Sequence, residues 1–369
     1  MKVLQINKLY YPFTGGVEQV AYDISNELGK RVDMNVLVAN DKFKKSRELI
    51  NGANVTRSAS IGRYFSMPVA PKFPLELKKI NADIFHYHLP FPLGVVSDLM
   101  VNPNGKKIVT WHSDIVKQKN ILKFYKPFLN KFLNKVDKIV TTSPNMIENS
   151  PFLQEYKNKC KVIPLGINPQ DFELTNYIKG KKEEIKKTYK EPIIFFVGRL
   201  VYYKGIEVLI RAMENIDAQL LIGGTGPLED ELKNLVNSLD LNDNIEFLGF
   251  VKDKDLAAYY HASDFFVLPS VASSEAFGIV QLEAQACGKP VISTNLLTGV
   301  PYANKDQETG IVVEPNSIEE LHKAIQRLLN DDSLRSNLGE NAKKRVNEKF
   351  TIKKMGEAYF DLYNELLNQ

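Results

Sequence analysis

Short apolar runs rich in β-branched residues alternate with longer amphipathic ones along this chain, and the alternation occurs twice. In the first half the short runs are VLQIN (3–7), NVLVA (35–39), DIFHY (83–87), KIVTW (107–111), KIVTT (138–142) and KVIPL (161–165), with helical patterns such as VEQVAYDISNELGK (17–30) between most of them. The stretch 168–190 turns polar and lysine-rich and reads as a linker carrying a short helix. The pattern restarts at PIIFFVG (192–198) and continues through AQLLIGG (218–224), NIEFLGF (244–250), DFFVLPS (264–270), KPVIST (289–294) and GIVVEP (310–315). Strands that are apolar throughout, separated by helices, predict parallel sheets covered on both faces. Two such runs in 369 residues, too many for one core, predict two doubly wound α/β domains facing each other across a cleft.

Hydrophobic residues make up 44% and charged residues 25%, a globular composition that excludes a disordered chain. Two cysteines, Cys160 and Cys287, cannot staple a fold this large and fit a reducing compartment. The N-terminus lacks the apolar core of a secretory signal, and no window approaches the ~20 apolar residues of a membrane span. A cytoplasmic protein, soluble or peripherally bound, is expected. The net charge of +4 conceals an asymmetry: residues 1–190 hold 31 basic and 17 acidic side chains, a net of +14, against 17 and 27, a net of −10, in residues 191–369. The first half is thus suited to an anionic partner, the alternative being plain lysine solubilisation of a surface.

Ligands of doubly wound sheets collect at the carboxyl ends of the strands, so the residues that follow each strand carry the chemistry. After the first strand, Gly15 and Gly16 open a helix whose bare amides suit a phosphate. Neither this turn nor GGTGPLEDEL (223–232) fits G-x-G-x-x-G, and the dinucleotide fingerprint is unsupported. In VGRLVYYKG (197–205), Arg199 and Lys204 follow a strand and suit a diphosphate. In SSEAFGIVQLEAQACGKPVIS (273–293), Glu275 and Glu283 lie eight positions apart, one before a helix and one inside it; were 275–283 all helical they would stand about 12 Å apart, too far for a glycosidase pair unless the loop folds back. Amides at Phe277, Gly278 and Ile279 favour an anion between them. That arrangement matches a nucleotide sugar, with Glu283 on the ribose, Arg199 and Lys204 on the diphosphate and Glu275 on the sugar. Asp253 in DKD reads as a helix N-cap rather than a metal ligand. His86 and His88 alternate on a strand, but no third ligand is evident. No metal and no cofactor are expected.

EAFGIVQLEAQACGKPVI resembles the E-x7-E signature of the retaining family 4 glycosyltransferases, and VGRLVYYKG resembles their diphosphate-binding element. GGTGPL, FLGFV, GGVEQV and TWHSD follow in the family's order, so the likeness covers nearly the whole chain. The family often has Glu-Gly-Phe-Gly where this chain has Glu275-Ala276-Phe277-Gly278. The resemblance implies the GT-B fold, with an acceptor-binding Rossmann-like domain over 1–169, a donor-binding one over 170–350, and a C-terminal helix within 351–369 packing back on the first. It implies that Glu275 and His112 act at the sugar and that Gly16 lends an amide to the phosphate. It implies further that Val251 touches the base and that Gly15, His88 and Asp114 lie on the acceptor side. YHLPFP (87–92) and WHSDIVKQK (111–119) are similar to bacterial O-antigen enzymes that act on lipid-linked carriers, many of them mannosyltransferases using GDP-mannose. The implied partners are a nucleotide-sugar donor and a lipid-linked saccharide, not nucleic acid. A nucleotide-sugar epimerase and a two-lobed sugar-binding protein are the competing readings.

Residues 117–138, KQKNILKFYKPFLNKFLNKVDK, interleave Ile121, Leu122, Tyr125, Phe128, Leu129, Phe132 and Leu133 with seven lysines. With Arg63, Tyr64, Phe65 and Lys72 they predict a basic face resting on anionic headgroups at the inner side of the membrane. The alternative is an ordinary helix whose apolar stripe packs on the first sheet.

Overall fold

The computed structural model describes residues 1–13, 15–64, 67–114 and 119–369. They form two compact units, Met1–Leu165 with Ile352–Gln369, and Gly166–Thr351. In chain order the strands of the first unit are β1 Lys2–Ile6, β2 Asp33–Ala39, β3 Ser46–Ile50, β4 Ala53–Ser58, β5 Arg63–Tyr64, β6 Met67–Pro68, β7 Ile84–Leu89, β8 Lys106–Trp111, β9 Lys138–Thr141 and β10 Cys160–Val162. Those of the second are β11 Ile193–Val197, β12 Gln219–Gly223, β13 Ile245–Gly249, β14 Phe265–Leu268, β15 Val291–Thr294 and β16 Gly310–Val313.

The first sheet runs β10-β9-β8-β7-β1-β2-β4-β3, and every pairing is parallel except β3 with β4. Two strands here escaped the sequence reading. Ser46–Ile50 is a solvent-exposed edge strand with no apolar run to betray it. Asn51 and Gly52, both at positive φ, make the two-residue turn that returns the chain into β4. β7 is buried along its whole length between β1 and β8. The Ile352–Leu367 helix belongs to this unit and lays Met355, Tyr359, Leu362, Tyr363 and Leu366 against Val20, Ala21, Ile24 and Leu28 of the Gly16–Leu28 helix.

The second sheet is entirely parallel, in the order β13-β12-β11-β14-β15-β16. One face packs Ile194, Phe196, Leu220 and Ile222 against Leu209, Ile210 and Ile325. The other packs Phe195, Leu221 and Phe266 against Tyr260, Ala284 and Cys287. The polar stretch expected to be a linker is part of this second core. Its Asn176–Thr188 helix buries Ile178 and Ile185, one helical face, against the Asp253–Ala262 helix. Lysines and glutamates on the opposite face hid that stripe in the sequence.

Among the described residues no helix is long and apolar enough to cross a membrane. The Lys119–Lys135 helix buries Tyr125, Leu129, Phe132 and Leu133, so its stripe does pack inward. Phe128, expected in that stripe, is instead 51% exposed and Phe124 82% exposed, with exposed Lys123, Lys126, Lys131 and Lys135 around them. Residues 115–118 and Phe65 lie outside the described residues, as do the side chains of Arg63, Tyr64, Lys119, Ile121 and Leu122.

Candidate active site

In the second unit the chain leaves β11 through Gly198 and Arg199, then makes a 3-10 turn, Tyr202–Lys204, closed by Gly205. Gly205 sits at φ +67, and a side chain there would run into the Pro269 carbonyl. That close approach presses Lys204 against the loop that follows β14, the neighbour of β11. Lys204 Nζ lies 2.5 Å from Glu275 Oε2, and both side chains are 11% exposed. Ser270 Oγ donates to the same carboxylate oxygen at 3.1 Å, and Thr298 Oγ1 donates to the Glu275 carbonyl at 2.8 Å. Arg199, expected to share the diphosphate with Lys204, is exposed and ion-paired with no described residue.

The helix after this loop spans Ile279–Ala286, so Glu275 precedes it and Glu283 lies inside it. Gly278 caps it at φ +70, a conformation that glycine adopts without strain. The Phe277 ring is buried, edge-on to Phe350 at 6.1 Å, which leaves only its amide for a ligand. No described group accepts from the amides of Phe277, Gly278 or Ile279. Glu283 lies in the second turn and takes a 2.8 Å hydrogen bond from Tyr260. Burial pushes its carboxyl up to about 7. Tyr260 draws it down, Asp253 pushes it up and Lys204 draws it down again. Lys204 thus stands within electrostatic reach of both glutamates. Half-buried Val251 closes over Gly223 at the end of β12. Asp253 is not an N-cap: Lys252 holds that position and Asp253 is the first helical residue.

In the first unit, the Gly16–Leu28 helix begins after Gly15, which caps it in extended conformation with no side-chain hydrogen bond. A side chain at Gly15 would run into the Glu18 carboxylate, whereas the space beside Gly16 is open. An anion on these amides therefore meets Glu18 as a competitor. Strand register places Gln5 beside His86, and His88 beside Thr110, on one face of the sheet, with His112 just past β8. These side chains form one buried chain of contacts. His88 Nδ1 lies 2.9 Å from His112 Nε2, and His88 Nε2 lies 2.7 Å from Gln5 Oε1. His86 is held by Tyr363 at 2.8 Å and Thr110 at 2.7 Å. Burial keeps all three imidazoles neutral, pushing His86 and His112 down to about 3 and His88 well below its usual value. Asp114 Oδ1 is already occupied, accepting from Trp111 Nε1 at 2.9 Å and Ser150 Oγ at 2.6 Å. Among the described residues no group of three His, Cys, Asp or Glu is placed to hold a metal.

Gln5, Ser270, Tyr260 and Thr298 were missed in the sequence. A glutamine inside the apolar run VLQIN was a visible signal for the first, while the others act only through folded contacts.

Two doubly wound sheets, parallel except for the β3–β4 edge pair, with cations and carboxylates set at the strand ends, define the GT-B class of sugar-transferring enzymes. Residues 14–171 match the family described as Glycosyltransferase Family 4, and residues 178–345 match Glycosyl transferases group 1. The chain belongs to these GT-B glycosyltransferases. It is 35% identical to the O-antigen chain mannosyltransferase C of Escherichia coli, with 100% of this chain and 99% of the relative covered. It is also 35% identical to the D-rhamnosyltransferase WbpZ of Pseudomonas aeruginosa, covering 95% and 92%. Its fold is similar to that of Anabaena HepE in complex with UDP, with a TM-score of 0.80 at 18% identity over 99% and 100% of the two chains. Family membership favours a transferase over an epimerase or a two-lobed binding protein.

Proposed function

We propose that this glycosyltransferase moves mannose from GDP-mannose, with retention of configuration, onto a lipid-linked saccharide in O-antigen or related polysaccharide assembly. The full-length likeness to an O-antigen mannosyltransferase supports the sugar and the pathway class. The observation that carries the site is the buried Lys204–Glu275 pair on the loop of the exposed Arg199, which is ion-paired with no described residue. Arg199 and Lys204 neutralise the diphosphate, together with the amides of Phe277, Gly278, Ile279 and Gly16. Glu275 takes the sugar hydroxyls, Glu283 the ribose and Val251 the base. His112 acts at the sugar, and Gly15, His88 and Asp114 border the acceptor. The second unit binds donor and the first binds acceptor.

In the reaction the bond between the anomeric carbon and the phosphate oxygen breaks through an oxocarbenium-like state. The acceptor hydroxyl oxygen bonds to that carbon from the same face and passes its proton to the departing phosphate. Protein cations carry the role a divalent metal plays elsewhere, by stabilising charge on the leaving group. A lipid-linked acceptor suits the exposed Phe124 and Phe128 among their lysines, a surface that rests reversibly on anionic headgroups at about 1 kcal/mol per basic residue.

Turnover with a panel of nucleotide sugars and lipid-linked acceptors tests this reading. Transfer from GDP-mannose, fastest in the panel, is expected. Robust transfer from a UDP-sugar with none from GDP-mannose contradicts it. The likeness to WbpZ favours a second reading, in which the sugar is D-rhamnose.

A further inference from the structure

The buried chain that ends at His112 begins at Ser25 on the Gly16–Leu28 helix, twenty residues beyond Gln5 of the first strand, and its hydrogen bonds have a direction. Ser25 Oγ lies 2.8 Å from the Ala21 carbonyl, which can only accept, so the serine proton points there. With that proton committed, Ser25 Oγ accepts from Gln5 Nε2 at 2.9 Å. Met34 Sδ, 3.7 Å from the same nitrogen, is also an acceptor. The reversed amide would set its oxygen against two acceptors, so Gln5 Oε1 faces His88 Nε2 at 2.7 Å. An amide oxygen cannot donate, and His88 therefore carries its proton on Nε2 and a lone pair on Nδ1. That lone pair faces His112 Nε2 at 2.9 Å, which must donate. A neutral imidazole has one proton. His112 has spent it, and its Nδ1 is a lone pair without a partner among the described residues.

The rings cannot easily turn to escape this order. His112 is 6% exposed and stacks on His88 at 5.2 Å, and His88 stacks on His86 at 4.6 Å. His86 is in turn fastened by Tyr363 and Thr110, and Thr110 by Tyr359 at 2.8 Å, so the C-terminal helix buttresses the stack.

We propose that Gln5 and His88 are positioning residues that fix His112 as its Nε2–H tautomer and present Nδ1 as an obligate hydrogen-bond acceptor. His112 then recognises an O–H group of its ligand and discriminates against a deoxy or ether analogue at that point. The inference deepens the reading that His112 meets the donor sugar and rests on it for the ligand, but the tautomer itself stands on the contacts above.

The test is side-chain nitrogen NMR on the full-length protein labelled with 15N-histidine, which distinguishes the two neutral tautomers. His88 and His112 are both expected with a protonated Nε2 and a bare Nδ1. A protonated Nδ1 on His112 in the wild type overturns the proposal without any variant. Gln5→Met removes the acceptor and should leave His112 as a mixture of tautomers. If Gln5→Met leaves His112 wholly Nε2–H, the relay does not exist. With the nucleotide sugar active in the donor panel, Gln5→Met should lower kcat about ten-fold, the scale of one misdirected hydrogen bond. A role confined to stability would lower the melting temperature of Gln5→Met and leave its kcat unchanged, which also overturns the proposal. The expected tautomers combined with full turnover in His112→Ala would uphold the relay and sink only the assignment of His112 to the sugar.

Discussion

Lys204 holds Glu275 in a nearly dry ion pair, 2.5 Å from nitrogen to oxygen, while Arg199 on the same loop stands exposed and ion-paired with no described residue. The two cations assigned to one diphosphate therefore start from different states. Removing one partner of a buried pair leaves a charge uncompensated and costs about 3–5 kcal/mol, whereas truncating an exposed side chain usually moves stability by less than ~0.5 kcal/mol. Arg199→Ala should lower kcat/KM by the equivalent of about 2–4 kcal/mol with an unchanged melting temperature. Lys204→Ala should lower both. Equal thermal stability of the two variants would show that the pair does not support the fold.

Glu283 gives the second unit a pH dependence of opposite sign to ordinary acid denaturation. Its carboxyl titrates near 7 when folded and near 4.3 when unfolded. Between those values the native state holds the extra proton, so this group's contribution to stability falls as pH rises, by up to about 3 kcal/mol at pH 8. Glu283→Gln should therefore raise the melting temperature at pH 8 and change it little at pH 4. Thermal scans across that range check it, and a variant less stable than wild type at pH 8 contradicts it.

The histidine stack of the first unit gives the usual sign. His86, His88 and His112 stay neutral well below the ~6.5 of an unfolded histidine. Their contribution is complete above pH 6.5 and is lost as pH falls toward 3, by up to about 2 kcal/mol for each at pH 5. Trp111, the single tryptophan and buried in this unit, reports on it by fluorescence. Denaturant midpoints read from Trp111 should drop steadily from pH 7 to pH 5. A flat profile would mean that the imidazoles are not held neutral.

The exposed Phe124 and Phe128 with Lys123, Lys126 and Lys131 predict binding to anionic liposomes that weakens as salt screens charge over ~8–10 Å. The change of Lys123 and Lys126 to Glu, and separately of Phe124 and Phe128 to Ser, should each reduce co-sedimentation. Transfer to a short soluble acceptor should persist. Equal sedimentation of all three proteins rules this surface out.

All six strands of the second sheet were legible because parallel strands buried on both faces read as apolar runs. Ser46–Ile50 was not, because an edge strand exposes its side chains, and only the Asn51-Gly52 turn announced it. The Asn176–Thr188 helix was legible as a helix but not as core, since two isoleucines seven apart carry all its burial. The candidate residues Glu275, Glu283, Arg199 and Lys204 could be named from strand-end position. Their relations could not: the contact of Lys204 with Glu275 depends on the close approach of Gly205 to Pro269. The amide direction of Gln5 depends on a serine from a different element.

That contact between Lys204 and Glu275 also separates the two glutamates most sharply. Glu283 is assigned to the ribose and Glu275 to a sugar that free GDP and UDP lack. Glu275 moreover occupies Lys204, so its removal releases a cation to the diphosphate. Calorimetric titration of the wild type, Glu275→Ala and Glu283→Ala with GDP and with UDP is therefore the most direct measurement. At pH 8, where Glu283 is mostly ionised, Glu283→Ala should weaken binding of whichever nucleotide the wild type binds about ten-fold, the scale of a lost hydrogen bond to a charged group. Glu275→Ala should bind at least as tightly as wild type while losing turnover. Weakening by Glu275→Ala as large as that by Glu283→Ala, or wild-type affinity in Glu283→Ala, would contradict the assignment of this edge as a nucleotide-sugar site.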